Sequence, residues 1–401
     1  LPPCTALLRA SESRSLVQAA IGTLPSLTLR VRTVAEPSLQ CRPRSGEHGW
    51  FKVRMASGSK SHASETTTMK IQRRSGLLVA LVLATLSTPS SLVAQPSDVA
   101  KAKSAVAGIR RKVQIRSTVD KTEQPCYVIT PEKMTDKPTP LLVSLHTWSG
   151  GVEQRDMAME EGAIAKGWIY LFPHFRGPNQ HPDACGSEIA QQDILDAVAW
   201  AKKEFRIDKT RVYLTGVSGG GHMTMQMVGR YPEVWTAASA WVGISDMAQW
   251  HEKHAETGYG EMLRKSCGGA PGTSKEVDGE YKKRSPLTWL HRAKNVPLDI
   301  AAGVHDGHSG SVPIRHSLSA FNALAKANQS TLITENEMAQ LSRPKGHLNA
   351  PLDSDRVEDA TFGRKIYLRR QAGPSRVTIF EGGHEGITAA AIAWLEKHQS
   401  E

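Results

Sequence analysis

Cysteine is scarce. The chain has five in 401 residues, and only Cys126, Cys185 and Cys267 lie after position 94. That leaves room for one disulfide, expected between Cys185 and Cys267, both read as loop residues, with Cys126 left over. Long apolar runs are also missing. The longest candidate, residues 77–86, is too short to cross a bilayer as a stable helix, so no membrane span is expected. Internal repeats are absent. No glycine-rich loop ends in the Lys-Ser or Lys-Thr of a phosphate-binding loop. The formal charge of +11 suggests a polyanion partner until its distribution is read. Residues 1–94 carry 12 Lys and Arg against 4 Asp and Glu, a net of +8, which leaves +3 for the rest. The charge therefore implies no nucleic-acid partner.

What is present begins with a leader-like layout. Residues 69–74 are basic, 77–86 apolar apart from Thr85, and 87–91 break the run. Leu92-Val93-Ala94 then offers a cleavage site before Gln95. This is the three-part pattern of a secretory signal, and no cysteine follows it to suggest a lipid anchor. The expectation is a secreted or periplasmic protein translated from Met69. Residues 1–68 would be a non-structural upstream extension, 69–94 the signal, and 95–401 one domain with a full core.

The organising stretch of that domain is a turn. Arg211 to Thr215 reads as a buried strand, Gly216-Val217-Ser218-Gly219-Gly220 follows, and the chain continues into a helix ending near Arg230. Gly-x-Ser-x-Gly between strand and helix is a nucleophile elbow, in which the serine stands on a sharp turn. The flanking glycines are required because the two backbones nearly touch there. Around it, apolar strands alternate with amphipathic helices. Strands are expected at 113–118, 127–130, 141–146, 168–173, 235–242, 298–303, 365–369 and 376–380. Helices are expected at 157–166, 189–205, 312–327 and 384–398. Two segments, 245–292 and 331–364, read as irregular cap insertions, with aromatics of the first on the acyl or leaving-group side. The fold class is α/β, a mostly parallel sheet with helices on both faces, whose reactive groups gather at the carboxyl ends of the strands.

A serine hydroxyl needs a base, and the base needs an orienting carboxylate. In the chain order Ser, acid, His, Asp306 follows the next-but-one strand after the elbow. Asp299 is a poorer choice because it lies inside that strand. His384 follows the last strand, between Gly383 and the terminal helix, and is the expected base ahead of His222, His305 and His308. The oxyanion of an acyl-transfer intermediate needs two backbone donors. Gly219 supplies one, and the loop after His146 the other, with Trp148 preferred and Thr147 next. His305-Asp306-Gly307-His308 contains metal-type ligands but no well-spaced third one, so neither metal nor cofactor is expected.

These pieces resemble the catalytic domain of the prolyl oligopeptidase family, within the α/β-hydrolase superfamily. The matching residues are Phe175-Arg176-Gly177, Asp193-Ile194, Gly216-Val217-Ser218-Gly219-Gly220, Gly303-Val304-His305-Asp306 with Val312-Pro313, and Gly383-His384. The departures are equally specific. No region is long enough for the propeller of the large peptidases, Gly219 stands where a Tyr is usual, and Thr147 where a Gly is. Secreted single-domain esterases of the feruloyl-esterase and polyester-depolymerase type share the small architecture. The resemblance implies a serine hydrolase of peptide or ester substrates, a serine peptidase first and a carboxylesterase as the alternative. A non-catalytic binding protein on the same fold is the outsider.

Overall fold

The computed structural model describes residues 108–400; the leader and the segment before it lie outside them. Strands β1 (Gly108–Arg116) and β2 (Glu123–Pro131) form an antiparallel hairpin at one edge. Then follow β3 (Thr139–Leu145), α1 (Met157–Ala165), β4 (Ile169–Pro173), α2 (Glu188–Glu204), β5 (Ile207–Val217), α3 (Gly219–Arg230) and β6 (Ala237–Trp241). Three helices of the first insertion come next: α4 (Met247–His254), α5 (Gly258–Cys267) and α6 (Lys275–Lys283). The chain closes with β7 (Leu298–Gly303), α7 (Arg315–Ala327), α8 (Glu335–Leu341), the hairpin β8 (Ile366–Ala372) and β9 (Ser375–Phe380), and α9 (Thr388–Leu395).

The strands form one sheet in the order β1-β2-β4-β3-β5-β6-β7-β9-β8. The run from β4 to β9 is parallel, and β1, β2 and β8 are antiparallel at the edges. Strands β3, β4, β6 and β7 are buried along their whole length. A strand buried on every residue has both faces covered, which is why these segments read as continuous apolar runs. This is the α/β-hydrolase fold.

The topology decides where chemistry can sit. From β3 the chain steps outward to β4, then returns past β3 to β5. The loops after β3 and β5 therefore leave neighbouring strand ends in opposite directions, which opens a crevice between them. Register brings the strand ends level: Leu145 pairs with Gly216, Val217 with Trp241, and Gly303 with Phe380.

Several expectations are corrected. Residues 245–292 are not irregular. They are largely helical, because each short helix buries only a narrow stripe: Met247 and Trp250 of α4, Leu263 and Cys267 of α5, Val277 and Tyr281 of α6. These residues form a satellite core with Trp148, so Trp250 and Tyr281 are packing aromatics and not the lining of an open pocket. The second insertion, 331–364, is mostly irregular as read, but holds α8, started by a capping box between Thr334 and Glu337. The last helix begins at Thr388, not at 384, and α7 at Arg315, not at 312. Finally, Cys185 and Cys267 are free, buried thiols in the same satellite core. Cys267 ends helix α5, and burial pushes the Cys185 thiol up to about 11, a packed apolar setting.

Candidate active site

Ser218 caps α3 with φ +60° and ψ −116°, outside the range non-glycine residues normally adopt. Such a backbone costs about 1–3 kcal/mol and persists only when its surroundings hold it. Here the Ser218 N–H donates to the Trp241 carbonyl at 2.8 Å, and its carbonyl accepts from His222 N–H at 2.9 Å. Glycine is demanded on both sides. A Cβ on Gly216 would lie 2.4 Å from the Gly220 carbonyl carbon, and one on Gly220 would lie 2.2 Å from the Leu145 oxygen.

His384 and Asp306 leave the ends of β9 and β7, which are neighbours, so they start side by side. Ser218 leaves β5, three strands away, or roughly 14 Å at ordinary strand spacing. The loop carrying His384 closes that gap by folding back across the strand ends. Its Gly382 and Gly383 carbonyls cover Gly303, whose Cβ would lie within 2.4 Å of either oxygen. Gly386 then reaches Val217, with 2.8 Å from a notional Cβ to that side chain.

The outcome is a continuous hydrogen-bonded chain. His384 Nε2 is 2.8 Å from Ser218 Oγ, and His384 Nδ1 is 2.8 Å from Asp306 Oδ2. The carboxylate is fully buried at its side chain, while its other oxygen, Oδ1, accepts from Gly307 N–H at 2.9 Å and Val312 N–H at 3.2 Å. A carboxylate facing Nδ1 fixes the proton there, which leaves Nε2 as an acceptor for the serine proton.

On the other side of the serine, Gly219 abuts the loop after β3. A Cβ on Gly219 would fall 2.3 Å from the Trp148 nitrogen. The usual Tyr cannot occupy this position with the loop so close. The structure thus brings Gly219 and Trp148 together beside Ser218. The Thr147 N–H, the alternative donor, is already bonded to Gln154 Oε1 at 2.9 Å.

The other histidines stand elsewhere. His222 is buried on α3 with Nε2 bonded to the Arg284 carbonyl at 2.8 Å. His305 pairs with Glu381 at 2.7 Å, and His308 Nε2 contacts the Ser342 carbonyl at 2.9 Å. Among the described residues, no three His, Cys, Asp or Glu side chains gather as a metal cluster. Asp299 is spent inside the sheet, accepting from Arg376 Nε at 2.7 Å and Ser239 Oγ at 3.3 Å.

Flanking contacts brace the histidine loop and were not foreseen from sequence. Arg364 reaches Glu385 at 2.7 and 3.0 Å, and Tyr367 donates to Glu381. Arg364 and Tyr367 also line a groove of about 960 Å³ along the second insertion.

Three buried histidines give a pH dependence. Burial lowers His146 and His222 from 6.5 to about 4, and His316 to about 3. The unfolded chain takes up these protons near pH 6.5, and the folded chain does so only well below. Their contribution is complete above pH 6.5 and lost as pH falls towards 4. The thermal midpoint is expected to drop steadily from pH 6.5 to 4. A flat midpoint across that window in a circular dichroism melt would contradict the buried neutral state.

Residues 161–340 match the prolyl oligopeptidase family, a span that holds Ser218 and Asp306 but stops before His384. Feruloyl esterase B of Thermothelomyces thermophilus is 28% identical over 128 residues, 30% of this chain and 44% of that protein. Acetylxylan esterase A of Emericella nidulans is 23% identical over 200 residues, 47% of this chain and 57% of that enzyme. The alignments thus cover only part of each relative. An acylaminoacyl peptidase of Pyrococcus horikoshii superposes with a TM-score of 0.48 at 21% identity, over 61% of this chain and 39% of the peptidase. The chain has the α/β-hydrolase fold and is similar, through its middle part, to the prolyl oligopeptidase family.

Proposed function

We propose that the chain hydrolyses a carboxylic ester through an acyl-enzyme, with Ser218, His384 and Asp306 as the catalytic triad. The hydrogen-bonded chain from Ser218 Oγ through His384 to Asp306 carries this reading. Ser218 attacks the carbonyl carbon as His384 Nε2 takes its proton. The oxyanion so formed is held by the Gly219 and Trp148 N–H groups. His384 returns the proton to the leaving alcohol, and the carbonyl re-forms on Ser218. Water then repeats the steps, delivering a proton to His384 and releasing the acid and the free serine. Asp306 holds the Nδ1 proton and stabilises the imidazolium in both halves. No cofactor enters any step.

An ester is favoured because the two named relatives are esterases. The second reading is a serine peptidase acting on an amide, supported by the family match over 161–340. The leader-like run before Gln95 supports export to a secreted or periplasmic location. The test is labelling of the folded protein by a fluorophosphonate, beside turnover of p-nitrophenyl acetate, methyl ferulate and N-acetylated peptide anilides. Labelling with faster ester turnover is expected. Anilide turnover matching the esters would favour the peptidase, and failure of the folded protein to label would remove the triad reading.

A further inference from the structure

The loop after β3 offers two backbone donors, Thr147 N–H and Trp148 N–H. The Thr147 N–H donates to Gln154 Oε1 at 2.9 Å, and the Thr147 hydroxyl donates to the same oxygen at 3.2 Å. The Thr147 carbonyl accepts from Gly150 N–H at 3.1 Å, and the Trp148 carbonyl from Asn179 N–H at 3.0 Å. Among the described residues, neither Trp148 N–H nor Gly219 N–H has an acceptor. These are the two nitrogens that meet beside Ser218. Buried backbone donors are almost always paired, so two adjacent free ones mark the place where an incoming oxygen is to be received.

We infer that Gln154 is a positioning residue for the oxyanion hole: by occupying the Thr147 N–H it selects the Trp148 N–H as the second donor. This rests on the triad reading above. The contact is built into the loop. A Cβ on Gly150 would lie 2.1 Å from Gln154 Oε1, so the turn admits the side chain only because residue 150 is glycine. The Gln154 backbone N–H also donates to the Gly151 carbonyl at 2.9 Å, which holds residue 154 against the same turn. The far side of Trp148 is fixed independently. Its ring packs edge-on against Trp250 at 4.6 Å between centroids. Without Gln154, Thr147 N–H has no acceptor and competes with Trp148 N–H for the incoming oxygen. Gln154 thus acts on the reaction through Trp148 and touches no reacting atom.

The experiment compares Gln154→Met, which keeps the length and removes the acceptor, with Gln154→Glu, which keeps the acceptor. The readouts are kcat and KM for p-nitrophenyl acetate and the inhibition constant of benzeneboronic acid, which forms a tetrahedral adduct on an activated serine. Loss of a complete oxyanion donor lowers kcat by about 10²–10³-fold. Misaimed but still present, the donor should be worth about tenfold or more on the same scale. Gln154→Met is expected to lose that factor in kcat and in boronate affinity together, with KM little changed. Gln154→Glu is expected to recover most of both. Equal kcat and boronate affinity in Gln154→Met and wild type would overturn the inference. So would a Gln154→Glu variant no better than Gln154→Met. If Gln154→Met does not fold, Gln154→Ala takes its place against the same Glu variant. Wild-type turnover persisting in Ser218→Ala would instead remove the triad reading itself, whatever Gln154 does.

Discussion

Ser218→Ala is expected to lower kcat by about 10⁶-fold, the scale seen when the nucleophile of a triad is deleted, and to leave the thermal midpoint nearly unchanged. The chemistry loses its attacking atom. The fold loses only a hydroxyl that, among the described residues, is bonded to His384 Nε2 alone. The backbone that makes this position unusual is held by other groups: the Trp241 carbonyl, the His222 N–H, and glycines at 216 and 220. Alanine meets the same φ of +60° at about the same steric cost as serine. Because the three residues act as one unit, adding His384→Ala to Ser218→Ala should change the residual rate by far less than His384→Ala does alone. Turnover of p-nitrophenyl acetate beside a circular dichroism melt checks both halves. Activity within tenfold of wild type, in protein that melts normally, would show that another group attacks the substrate.

Much of this arrangement was legible in the sequence because strand ends are. Arg211 to Thr215, Leu298 to Gly303 and Arg376 to Phe380 are apolar or alternate regularly, and each has glycine at or just beyond its end: Gly216, Gly303 and Gly382. Counting strands from the elbow therefore leads to Asp306 and His384 with no knowledge of distance. Register adds the proximity: Gly303 pairs with Phe380, so the residues just beyond them start side by side. What was not legible depends on contacts between distant segments. Helices α4 to α6 are rich in polar residues, and their apolar stripes at Met247 and Trp250 or Val277 and Tyr281 are too sparse to stand out. Those stripes make sense only once Trp148, almost a hundred residues earlier, completes the satellite core. The choice between Thr147 and Trp148 was open for a similar reason. It turns on one side-chain acceptor, Gln154, whose reach follows from the tight turn at Gly150 and not from any motif. The cysteines mislead in the same way. Cys185 and Cys267 do share a core, but as small apolar side chains within it.

Asp306→Asn is expected to lower kcat by about 10⁴-fold at neutral pH, the scale found when a triad carboxylate becomes an amide. The contacts of Asp306 explain why so small a change should matter. Its Oδ1 accepts from two backbone N–H groups, of Gly307 and Val312, and its Oδ2 faces His384 Nδ1. An asparagine has one acceptor oxygen and one donor nitrogen. Two fixed N–H donors claim the oxygen, because the opposite flip would set the amide N–H₂ against both of them and leave all three without acceptors. The amide nitrogen is therefore turned towards His384. A donor at that place requires a lone pair on Nδ1, which moves the ring proton to Nε2. In that tautomer His384 donates to Ser218 and cannot take its proton, so the base is disabled though every heavy atom stays in place. Stability should change little, since the Gly307 and Val312 donors keep their acceptor. The prediction separates a catalytic carboxylate from a merely structural one. A structural Asp306 would reveal itself as a lower melting temperature with kcat within tenfold of wild type. The catalytic role requires normal melting, a collapse in p-nitrophenyl acetate turnover and a matching fall in the rate of fluorophosphonate labelling at Ser218.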